Sequence, residues 1–153
     1  MSRGIPMLGF SWPVLVGLAA LAAPRVVLHD LGIIEEGSFV NGLFVFVPPA
    51  CWVAAVLWKR PHRPFATVVV IGAIYGVFLA VGHQVLWDAA FPTGIESPVP
   101  ETAMRTASTM SSLVVGTLMG VLAGAIATLL CRIVPATPTS VGSTEDRGGE
   151  RAP

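Results

Sequence analysis

Four long apolar segments constrain this chain more than any other feature of its sequence. They cover residues about 5–23, 39–58, 65–87 and 111–134. Each holds about 20 residues, and a helix of that length matches the hydrocarbon core of a bilayer, about 30 Å thick. Backbone polar groups in lipid have no water to bond, so each segment is expected to be helical. The segments predict an all-α, polytopic membrane protein, an antiparallel bundle of four transmembrane helices within residues 1–134.

The composition agrees with a membrane location. Charged residues make up 12% of the 153 residues and hydrophobic residues 54%, whereas a soluble domain carries about 25% charged residues. The formal net charge is zero, so the chain has no basic excess for binding nucleic acid. The partner predicted from composition is the lipid bilayer.

The first segment has an alternative interpretation as a cleavable signal peptide. Arg3, an apolar stretch and the small residues Ala20 to Ala22 fit that pattern. Pro24 follows the candidate cleavage site closely, which disfavours processing. The first segment is therefore predicted to be a span.

Basic residues predict the orientation of the spans. Two of the nine lie in the loops after the first and third segments, Arg25 and Arg105, and those loops also carry most of the acidic residues. The other seven lie at the opposite ends of the segments: Arg3, Lys59, Arg60, Arg63, Arg132, Arg147 and Arg151. The positive-inside rule then puts both termini on the cytoplasmic side of the cell membrane. Residues 135–153, rich in Pro, Thr, Ser and Gly, are predicted to be a disordered cytoplasmic tail.

Small residues recur every fourth position in the last two segments. Small residues at this spacing form a groove on one helix face and let a neighbouring backbone approach closely. The spacing predicts tight helix packing, either within one chain or between copies. The predicted packing residues are Gly72, Gly76, Ala80, Gly116, Gly120 and Gly124.

Polar side chains collect near the outer ends of the spans. The candidate cluster consists of His29, Asp30, His83, Gln84, Asp88 and Arg105. At 100° per residue, His83 lies on the same face as Gly72, which predicts that Thr109 or Ser112 hydrogen-bonds it. The last helix is predicted to begin near 100–101, because proline suits a first helical turn. Arg105 would then pair with Asp88.

The chemistry of this cluster leaves two alternatives. Histidine and carboxylate are zinc ligands, and histidine also titrates near physiological pH, so an ion, metal or proton site is one alternative. No pair resembles HExxH, and polar residues near the membrane boundary are common. The structural role is the favoured prediction, and no metal or cofactor is assigned.

Three further features concern the second span. Ser38 directly precedes it and is predicted to be its N-cap. Pro48 and Pro49 lie in its middle and predict a kink, because each removes a backbone hydrogen bond. Asn41 is expected to bridge helices.

The only cysteines, Cys51 and Cys131, are predicted at depths about 10 Å apart in the membrane. This distance exceeds the reach of a disulfide, so both are predicted to be free thiols.

Three functions remain open from the sequence. The first is a helical bundle that works by interaction, as an accessory subunit for a membrane-protein partner or as a homo-oligomer. The alternative is a small permease or an ion, proton or metal pathway that uses the outer polar cluster and the kinked second span. An enzyme is disfavoured, since it would need His29, His83 and a carboxylate to converge within about 4–5 Å.

Overall fold

The computed structural model describes residues 8–35, 37–91 and 98–134, and every regular element in this part of the chain is a helix. The predicted tail, 135–153, lies outside the described residues. The helices are α1 (Trp12–Ala20), α2 (Ala23–Asp30), α3 (Phe39–Lys59), α4 (Pro64–Val85), α5 (Trp87–Ala90) and α6 (Glu101–Ile133). Four stretches are long and apolar enough to cross a membrane: Trp12–Asp30, which joins α1 and α2, Phe39–Lys59, Pro64–Val85 and Glu101–Ile133.

The first span differs from the predicted 5–23. Helix α1 begins at Trp12, and the helical stretch continues past residue 23 to Asp30, while residues 5–7 lie outside the described part. Pro24 does not end this span, because it occupies the first turn of α2, where its missing N–H costs nothing. Arg25, His29 and Asp30 therefore lie in a helix rather than in a loop.

A side chain of α3 forms a hydrogen bond to the backbone at the break between α1 and α2. The Ala22 N–H donates to the Ala19 carbonyl, one residue short of the helical pattern. The Leu18 carbonyl then accepts a hydrogen bond of 2.7 Å from the indole Nε1 of Trp52, which is fully buried. A buried carbonyl needs such a partner, so Trp52 stabilises the break.

Helix α3 begins as predicted. Ser38 is its N-cap, and the Ser38 Oγ accepts from the Asn41 backbone N–H. The helix continues through Pro48 and Pro49 to Lys59. The kink itself stays a prediction.

Helices α4 and α6 form the most extensive pair. An added Cβ on Gly72 would lie 2.5 Å from Gly120 Cα, and one on Gly116 would lie 2.3 Å from Gly76 Cα. Residue numbers therefore rise along one helix as they fall along the other. Four glycines of the predicted groove, Gly72, Gly76, Gly116 and Gly120, thus make a contact within one chain.

Three chain segments meet at one end of the helices, which we call the basic end. The Thr67 hydroxyl lies 3.1 Å from the Leu8 carbonyl, and Gly9, at φ +68°, packs against Pro61 in the α3–α4 turn. The Arg60 guanidinium donates to the Cys131 carbonyl, 2.8 Å away, at the end of α6. A cation beside the last carbonyls of a helix is stabilising. The start of the described chain, the α3–α4 turn and the end of α6 thus share this end.

Candidate functional site

The opposite end, which we call the polar end, holds a buried carboxylate between two imidazoles. Asp30 is the last residue of α2, and its side chain is only 6% exposed. Its Oδ2 lies 2.7 Å from Nδ1 of His83, which belongs to the last turn of α4. Its Oδ1 lies 3.2 Å from Nδ1 of His29, the preceding residue. One carboxylate therefore joins the ends of two helices.

The two contacts of Asp30 fix the roles of the contacting atoms. An ionised carboxylate only accepts hydrogen bonds, so these contacts require Nδ1 of each imidazole to act as the donor. The His83 side chain is 31% exposed.

The predicted partner of His83 is wrong. Neither Thr109 nor Ser112 bonds its ring: the Ser112 hydroxyl donates to the Ser108 carbonyl, and the Gln84 amide donates to Thr109 Oγ1 at 3.0 Å. Two physical causes account for the difference. First, successive side chains on a helix differ by about 100° in direction, and Gln84 rather than His83 points toward α6. Second, α2 extends to residue 30 and brings the Asp30 carboxylate to His83.

The predicted ion pair at the start of α6 is confirmed. Helix α6 begins at Glu101, with Pro100 as N-cap, as expected. The Arg105 guanidinium lies 3.1 Å from the Asp88 carboxylate and 2.7 Å from Glu101, with its Cζ atom 4.9 Å from the centre of the Trp87 ring. Asp88 is 93% exposed, so this group is a solvent-screened network and separate from Asp30.

Two adjoining clefts open at the polar end, and His29, His83 and Ser108 line both. The shallow cleft has a volume of about 490 Å³ and is also lined by Asp30 and Trp87. The deep cleft has a volume of about 300 Å³ and reaches Arg25, Ser111 and Ser112 between α2, α4 and α6.

The convergence of two histidines and a carboxylate raises the question of a metal. Among the described residues, no group of three or more His, Cys, Asp or Glu side chains has a geometry that could hold a metal ion. The 2.7 Å separation of His83 Nδ1 and Asp30 Oδ2 is that of a direct, charge-assisted hydrogen bond. Both cysteines are free, as predicted. The arrangement is that of a carboxylate hydrogen-bonded to two imidazoles.

Sequence reasoning left Arg25 out of the site. Its Nε donates to Asn41 Oδ1 at 2.9 Å, and its guanidinium also interacts with the Tyr75 hydroxyl. Asn41 does bridge helices, as expected, since it lies on α3 and Arg25 on α2. Pro24 was the sequence feature that could have placed Arg25 in a helix, because proline is favoured in the first turn of a helix.

Comparison with protein-family models, with curated proteins and with solved structures found no match.

Proposed function

We propose that this protein is a small, antiparallel four-helix integral membrane protein of the cell membrane that conducts protons or small ions across the bilayer and binds them first at the outer end of its bundle. The observation that carries the proposal is Asp30, a carboxylate only 6% exposed that joins His29 and His83 in the wall of the shallow cleft. Ionisable groups packed between membrane helices are costly to keep and typically belong to ion or proton routes.

The titrating atoms of the proposed site follow from its contacts. Imidazole is the side chain that ordinarily changes charge between pH 5 and 8. Proton uptake at His83 Nε2 would make the His83–Asp30 contact an ion pair. Among the residues that the structure describes, the charged groups nearby are Arg25 from α2 and, further out, the exposed Arg105 network. Proton binding would thus change the charge of both clefts while the helix ends stay joined.

The proposed orientation places both termini on the cytoplasmic side and the polar end outside. Four described basic residues support it, because the positive-inside rule assigns the end that carries them to the cytoplasm. They lie at or next to the basic end: Lys59, Arg60, Arg63 and Arg132. The N-terminal segment also packs at this end, through Leu8 and Gly9.

Association with a partner or a second copy is the second candidate. The glycine face, which suggested self-association, is already occupied by the α4–α6 contact. An apolar groove of about 610 Å³ between α3 and α6, lined by Phe46, Pro49, Met119 and others, remains at the middle of both spans. That groove is one apolar surface on which a second copy of this chain would pack, and other apolar side chains, such as Val77 and Leu118, are exposed as well.

Proton movement in liposomes tests the proposal. The purified chain is reconstituted around a trapped pH-sensitive dye, and the internal pH is followed after the external pH is lowered. We expect acidification faster than in protein-free liposomes, and a return to the protein-free rate in His83→Gln, because the amide cannot take up a proton. Asp88→Asn is the matched control, since it alters an exposed carboxylate at the same end, and should keep the wild-type rate.

Wild-type liposomes that acidify no faster than empty ones, or a His83→Gln variant as fast as wild type, would reject the proposal. Native mass spectrometry of the same preparation would then decide the second candidate, which requires a dimer or higher oligomer.

A further inference from the structure

Arg25 is a charged side chain inside the first span. It lies five residues before the end of α2, about 7 Å along the helix axis, and is half-buried. A guanidinium stays protonated in proteins. In the described part of the chain its partners are an amide, Asn41, and a phenol, Tyr75. These neutral groups hold the side chain in place but do not neutralise its charge.

The guanidinium still has hydrogen-bond donors to offer. It carries about five N–H donors in a rigid fork, with no acceptor. The Nε donor goes to Asn41, and the guanidinium also interacts with the Tyr75 hydroxyl. Arg25 also lines the deep cleft. Terminal N–H groups are therefore left for an acceptor inside that cleft.

The other polar residues that line the deep cleft also offer groups that can bind an anion. His29 and His83 line it, together with Ser108, Ser111 and Ser112, and no described carboxylate is among its lining residues. Asp30 lines only the shallow cleft. The Ser112 proton is donated to the Ser108 carbonyl, while the Ser108 and Ser111 hydroxyls can donate to a ligand. The cleft combines a fixed positive charge, two imidazoles and hydroxyl donors.

We infer that the deep cleft binds a small anionic oxygen group, a carboxylate or a phosphate, with Arg25 as its charge partner. Its volume of about 300 Å³ is at the lower end of ligand pockets and far above the roughly 30 Å³ of one water. The guanidinium fork matches two oxygens of either group. The inference rests on the proposed function, which places the cleft on the outer side of the membrane. It adds the class of anion that would bind beside the proposed proton site.

Thermal unfolding of the full chain in a maltoside detergent, which contains no phosphate, tests the inference. The probes are acetate, inorganic phosphate and dihexanoyl phosphatidic acid, added at constant ionic strength and followed by tryptophan fluorescence. A ligand that binds only the folded state raises the unfolding temperature as its concentration passes the dissociation constant. We expect a saturable rise in wild type and none in Arg25→Gln. Arg105→Gln is the matched control, because Arg105 does not line the deep cleft, and should keep the rise.

A second variant keeps the test decisive if Arg25→Gln does not fold. Ser108→Ala leaves the Arg25–Asn41 contact intact and should raise the apparent dissociation constant about tenfold, the usual effect of losing one hydrogen bond to a charged group. A rise with acetate or inorganic phosphate identifies a free anion as the source. A rise with the short-chain lipid alone identifies a lipid headgroup.

No saturable rise with any probe, an equal rise in Arg25→Gln, or an unchanged dissociation constant in Ser108→Ala would overturn the inference. Its failure is separate from failure of the proposed function. A chain that keeps His83-dependent proton movement but shows no Arg25-dependent stabilisation loses only the anion site.

Discussion

Asp30 illustrates how a single side chain can organise a polar site between membrane helices. It ends α2, where a carboxylate opposes the helix dipole, so the dipole does not explain its position. Its hydrogen bonds to two imidazoles do, because they compensate the loss of water around a group that is 6% exposed. One imidazole on α2 and one on α4 therefore stabilise this carboxylate by hydrogen bonds.

Replacing Asp30 by Asn should destabilise the protein. The amide oxygen can accept from one imidazole, but the amide nitrogen then faces the other, and both contacts lose their charge. We expect the free energy of unfolding to fall by about 1–3 kcal/mol, measured by denaturant titration in detergent micelles. Asp88→Asn should have little effect, since Asp88 is 93% exposed. Equal losses in the two variants would show that Asp30 has no special role.

Helices α4 and α6 associate through backbone contact rather than through large side chains. Gly72 and Gly116 face the partner helix at distances too short for a Cβ, and a Cβ on Gly76 or Gly120 would fit only if the neighbouring helix moved slightly. Apolar side chains gain little by leaving lipid for another apolar surface, so close packing supplies much of the attraction between spans. The glycines make α4 and α6 one packed unit, and α4 also contacts α1, α2 and α3.

Gly116→Ala should weaken this unit. Its Cβ would lie 2.3 Å from Gly76 Cα, which is backbone and cannot move aside. We expect a loss of about 1–3 kcal/mol in the free energy of unfolding, although alanine is intrinsically the better helix former by about 1 kcal/mol. Gly42→Ala is the control, because nothing lies within 4 Å of its added Cβ, and should be neutral or stabilising. If the two variants behaved alike, the close contact would not contribute to stability.

At the scale of the whole molecule, the two ends differ in character. The basic end joins the start of the described chain, the α3–α4 turn and the end of α6, with Arg60 closing the last turn of α6. The polar end holds the Asp30 site, both clefts and the exposed Arg105 network. This asymmetry is what the proposed orientation requires.

Cysteine labelling in intact cells tests the orientation. In a background without Cys51 and Cys131, we expect Asp88→Cys to react with a membrane-impermeant maleimide added outside. Arg63→Cys should react only after the cells are permeabilised. Both positions are exposed in the structure, so the two variants are matched in accessibility. Labelling of Arg63→Cys in intact cells would reverse the orientation and place the Asp30 site on the cytoplasmic side.

The sequence by itself determined the features that depend on local chemistry. Apolar length predicts four membrane-spanning helices, and the described chain has four helical stretches long and apolar enough to cross a membrane. The Ser38 cap, the start of α6 at Glu101 and the Asp88–Arg105 pair were also predictable, because each depends on a few residues close to a helix end. Glycine spacing predicted a tight contact for the same reason, since it describes one helix face.

Only the tertiary structure decided which groups meet across helices. Glycine spacing could not say that α6 packs on α4 of the same chain. Nor could apolar length show that the first span continues beyond Pro24. This continuation places Arg25 and Asp30 in a helix. The partner of a side chain depends on which neighbouring helix occupies the adjacent face, and one residue step turns that face by about 100°. For that reason His83 meets Asp30, and Gln84 meets Thr109.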